Sequence, residues 1–88
     1  MWKKVSLTEQ SKGVFSSSFY KGEIFAREYE YMPGRYKVLI APKMVLTSVK
    51  ILSEQLARNF YTVLGSVTED QQMELQQIED QLIMAGRL

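Results

Sequence analysis

Two turn-forming pairs, Lys21-Gly22 and Pro33-Gly34, punctuate the first half of the chain and bound its apolar and aromatic runs. The runs 13–20, 23–32 and 35–41 are each rich in β-branched or aromatic residues, which predicts three strands. Pro-Gly favours a type II turn, whose twist suits a tight two-residue hairpin poorly, so a four-residue loop is expected at the second turn. Either loop pairs Tyr31 with Tyr36. That register sets Tyr29 opposite Val38 and Arg27 opposite Ile40 on one face. On the other it sets Glu30 opposite Lys37 and Glu28 opposite Leu39, and the favourable charge pair and aromatic–aliphatic pairing that arise from one register support it.

The second half has a different period. Between 44 and 64 the apolar stripe Val45, Val49, Leu52, Leu56, Phe60, Val63 recurs at helical spacing; Pro42 is tolerable just inside a helix start, and Gly65 suits the position just past its end. Thr68 with Gln71 forms a capping-box start, and Glu69 and Asp70 suit the positive end of a helix dipole. The helix that follows carries Leu75, Ile78, Leu82 and Ala85 and stops at Gly86. Glutamines flank its narrow seam, as in a coiled coil. The short connection 65–67 predicts antiparallel helices, with the seam packed on Val49, Leu52 and Leu56. The fold class expected is α+β: a three-stranded antiparallel β-meander (13–41) followed by a two-helix hairpin (43–86) packed on one sheet face. With 88 residues the chain has room for a single domain, 1–88. Its first dozen residues, 1–12, read either as an edge strand over 2–7 or as a short capped turn at Ser6-Leu7-Thr8-Glu9.

Composition closes many mechanisms. Histidine and cysteine are both absent, which removes thiol nucleophiles, disulfides, imidazole bases, zinc fingers and Cys-ligated clusters. Ser16-Ser17-Ser18 has no histidine to activate it, the glycines are isolated, and no EF-hand spacing occurs. Glu28 and Glu30 share a strand face as a carboxylate pair would, but Lys37 is expected to neutralise Glu30. Glu69-Asp70 and Glu79-Asp80 fall on the solvent side of the last helix by periodicity. No catalytic residue, metal or cofactor is therefore expected. No apolar run approaches the roughly 20 residues of a membrane span, and no signal peptide is visible, so a cytoplasmic protein is the expectation.

Nearly neutral overall, the chain is electrically lopsided: residues 1–43 hold 8 basic and 4 acidic side chains, whereas 68–88 hold one basic and five acidic. Two surfaces follow. The hairpin interleaves basic and aromatic residues, and Arg27, Tyr29, Tyr31, Tyr36 and Lys37 are its candidate partner-binding set. The acidic last helix offers Glu74, Asp80 and Met84. The sheet reads as apolar on both faces, and one helical layer covers only one of them, so the other face is expected to bind a second copy or a partner.

The leading expectation is thus a non-catalytic protein-interaction module, a homodimer that regulates or inhibits a larger protein by surface docking. Compact chains of phages and mobile elements often act so, an origin that no residue here specifies. The alternative is a single-stranded nucleic-acid binder that stacks bases on the hairpin aromatics and pairs phosphates with Lys and Arg. Glu23, Glu28 and Glu30 interrupt that basic patch and weigh against it. The order strand, helix, helix superficially resembles ribbon-helix-helix DNA binders. The expected first helix is too long for that arrangement, and two further strands precede.

Overall fold

The computed structural model describes residues 1–15, 19, 22–42 and 49–88. Its elements are β1 (Lys3–Leu7), a 3-10 turn (Glu9–Ser11), β2 (Ile24–Met32), β3 (Arg35–Pro42), β4 (Lys50–Ser53), α1 (Glu54–Ala57), β5 (Tyr61–Ser66) and α2 (Glu69–Met84). All five strands form one antiparallel sheet in the order β4-β3-β2-β1-β5. The class is α+β, but the meander followed by a helical hairpin is not the arrangement adopted.

Three corrections define the difference. The strand expected over 13–20 does not form in its described part: Gly13 and Val14 lie in a turn, and Phe15 makes only an isolated bridge to Lys12. Residues 16–18, 20 and 21 lie outside the described residues. Its place beside β2 is taken by β1, which is an inner strand and not an edge; Ser6 and Leu7 belong to that strand, and the 3-10 turn that follows at Glu9–Ser11 has no side-chain cap from Thr8.

In the described part of the helix expected over 44–64, β4, the four-residue α1 and β5 form instead. Val49, Ile51, Thr62 and Val63 are β-branched and favour pleated backbone. Strand β4 is apolar on both sides, with Ile51 packed on one cluster and Leu52 on the other, and two-sided burial erases the alternation that would mark a strand. Ser53 then starts α1 by accepting the Leu56 N–H at 3.2 Å. Part of the stripe, 43–48, lies outside the described residues.

The third correction is register. Pairing runs Tyr29↔Lys37, Glu28↔Val38, Arg27↔Leu39 and Ala26↔Ile40, with an irregularity between Glu30 and Met32. Next to the turn, Met32 still faces Arg35, as the expected register requires. Beyond the bulge every β3 residue is displaced by one, and because side chains alternate, β3 presents the opposite set to each face.

Two cores result. On one face Trp2, Phe25, Leu39, Ala41 and Val49 pack against Leu75, Ile78 and Leu82 of α2. On the other, Val5, Ile24, Ala26, Val38 and Ile40 meet Phe15, Phe19, Ala57 and Phe60, with Phe15 and Phe19 rings 4.9 Å apart. The link from β4 to β5 passes over this second face and inserts Ala57 and Phe60. Thr8 holds the link from below: its N–H donates to the Phe60 carbonyl at 2.9 Å and its hydroxyl to that of Asn59. Both apolar faces are therefore covered by the chain itself, α2 on one and α1 with Phe15 and Phe19 on the other. The uncovered face that the sequence suggested for self-association is absent among the described residues. Nor does the α2 seam pack on Leu52 or Leu56: Leu52 joins the opposite cluster and Leu56 is exposed.

Helix α2 forms where its signals place it. Thr68 accepts the Gln71 N–H at 3.1 Å, and the Gln71 side chain accepts the Thr68 N–H at 3.2 Å. Ala85 is its C-cap and Gly86 follows at φ 70°.

Candidate functional site

The end of the β2–β3 hairpin is built by three local devices. Gly34 takes φ 74° in the turn after Pro33, a conformation side chains disfavour. The Glu30 carboxylate reaches across the turn and accepts the Gly34 N–H at 3.2 Å. The bulge leaves Tyr31 without a partner on β3, and Lys37 Nζ sits 4.7 Å from the centre of its ring. Lys37 therefore faces Tyr31 and does not neutralise Glu30, as the expected register required. Tyr36 is instead the residue opposite Glu30, whose carboxylate, through hydrogen bonding and charge, raises the phenol pKa above its ordinary 10.0. Tyr31, Met32 and Tyr36 are all exposed. The tip is a set of apolar side chains whose polar neighbours hold one another in place.

Behind Tyr36 lies an open cleft of about 340 Å³, bordered by Lys3, Ala26, Arg27, Glu28 and Tyr61. Tyr61, half-buried, has its pKa raised by burial first and then by Glu28 and Glu54. Carboxylates thus give the Tyr36 side of the hairpin a negative character. Glu28 and Glu30 do share this face, as the alternation required. Among the described residues no group of three or more His, Cys, Asp or Glu side chains is placed to hold a metal ion, and no helix is long and apolar enough to cross a membrane.

The candidate residues divide three ways. Tyr31, Tyr36 and Lys37 come together at the hairpin end. Arg27 and Tyr29 lie further along β2, on the α2 side. Arg27 Nε is 3.0 Å from Glu79 Oε1, an ion pair whose angle falls short of a hydrogen bond, and its Nη1 donates to Gln76 Oε1 at 3.2 Å. Tyr29 packs half-buried against the α2 core. Glu79, expected in solvent, is 3% exposed beneath α2. Glu74 and Met84 are exposed on the outer side of α2, and Asp80 is exposed while accepting from Gln76 at 3.2 Å.

Sequence reasoning missed Met32 at the tip, and Val63 and Leu64, which are 55% and 63% exposed on β5. The uncharged run 61–66, with Thr62-Val63 inside it, was the available signal for the latter. Comparison with known protein families, with curated proteins and with solved structures finds no match to this chain. Its function is read from this geometry alone.

Proposed function

We propose that this chain is a non-catalytic protein-interaction module, a homodimer that regulates or inhibits a larger protein by docking through the end of the β2–β3 hairpin. The carrying observation is the tip itself: Tyr31, Met32 and Tyr36 exposed together on a turn braced by Glu30 and Lys37. Aromatic residues anchor protein interfaces, and a tip already held in one shape loses little entropy on docking. The outer side of α2, with Glu74 and Met84, is a secondary contact in this reading.

Single-stranded nucleic-acid binding by the same hairpin is the weaker reading. Arg27 is committed to Glu79, and Glu28 and Glu30 flank Tyr36, so the aromatics are not backed by a continuous phosphate-binding surface. The test compares proteins captured by the wild type, Y31A/Y36A and E74A. Loss of the same specific partner in Y31A/Y36A alone, with thermal stability unchanged, is the expected result. Equal capture by all three variants would remove the hairpin from the interface. Binding of labelled single-stranded DNA or RNA that weakens steeply with added salt would favour the second reading instead.

A further inference from the structure

An antiparallel sheet of this order ends at two edges, and the chain treats them differently. Strand β4 is four residues long and begins with Lys50; shortness and a lysine are both devices that discourage pairing. Strand β5 is six residues long and contains no charged side chain and no proline. Only β1 pairs with it among the described residues. Val63 and Leu64 are exposed there, and the bulge opposite Lys4 and Val5 leaves Leu64 without a partner on β1.

We infer that the outer edge of β5 is where a second copy of this chain adds, antiparallel, about a two-fold axis near Val63 and Leu64. The inference rests on the homodimer in the proposed function and names its interface. Two features favour a second copy over an unrelated strand. With no charge between Tyr61 and Ser66, like residues meet across the axis without repulsion. The charges outside the strand then become complementary. Arg58 lies three residues before β5, and Glu69 and Asp70 lie three and four residues after it, so antiparallel pairing puts Arg58 of each copy at the same end of the joined strands as the acidic start of the other copy's α2. The bulge bends the strand and keeps the paired run short. The interface is accordingly small beside the ~1,200–2,000 Å² of stable complexes, and the dimer dissociates on dilution.

The test is solution mass by light scattering or sedimentation over a concentration series for the full chain. The wild type is expected to pass from monomer to dimer as concentration rises. V63K places two lysines near the axis and is expected to weaken dimerisation by roughly tenfold or more, with an unchanged circular dichroism spectrum because Val63 is already exposed. R58E is expected to weaken it as well, and R58E/E69R to restore it. A wild type that stays monomeric throughout overturns the inference together with the homodimer reading. A V63K variant that dimerises as well as the wild type overturns the β5 interface alone.

Discussion

Arg27 and Glu79 show how much a single pair carries in a chain this small. Glu79 is almost completely buried, and its charge is matched by Arg27 at 3.0 Å. Removing one partner strands the other charge beneath α2. R27A is therefore expected to destabilise the fold by about 3 kcal/mol, and the apolar double replacement R27M/E79L by less than either single change, as read by urea denaturation. The tyrosines give a pH prediction. Tyr36 and Tyr61 have pKa values raised above 10.0 in the folded chain. The folded state thus keeps protons that the unfolded chain releases. That contribution is complete below about pH 10 and is lost as pH rises through the folded values. Tyr36 and Tyr61 should ionise late in an alkaline titration of the tyrosinate absorbance, and Y36F and Y61F should each remove one late-ionising phenol and reduce the alkaline loss of stability.

At the scale of elements, α2 is held by a narrow seam and a good start. Leu75, Ile78 and Leu82 supply its apolar contact, each contributing roughly 1.5–3 kcal/mol on burial. The reciprocal Thr68–Gln71 bonds satisfy N–H groups that would otherwise face the first turn unpaired. T68A should cost about 1 kcal/mol in thermal or chemical unfolding. The hairpin turn is equally local: Gly34 holds φ 74°, so G34A should cost about 1 kcal/mol by the same measurement, although nothing lies near an added Cβ there. These two elements were legible because their signals lie within a few residues of one another. The segment 44–64 was not. Its apolar residues fit a helical period by coincidence, while β4 and β5 owe their strand conformation to β3 and β1, partners remote in sequence.

For the whole molecule, the sheet divides two cores that no single layer could serve. Trp2, 1% exposed, lies in the core beneath α2 and is the chain's only tryptophan. Its emission therefore reports docking of that helix. L82A should destabilise the fold by about 2–5 kcal/mol, and the Trp2 emission should shift to the red as α2 loosens.

Local chemistry determined the α+β class, the strands β2 and β3, the Pro33-Gly34 turn, the capped α2 and the closure of thiol and imidazole mechanisms. Each follows from residues adjacent in sequence or from composition. Only tertiary structure decided that β1 lies inside the sheet, that β4 and β5 are strands, that Glu79 is buried and that both sheet faces are covered. A one-residue bulge at Tyr31 moved Val38 and Ile40 away from Phe25 and onto the face of Ile24 and Ala26. Register and edge position depend on what a strand meets across space, and for β-branched, two-sided apolar segments the local sequence leaves that choice open.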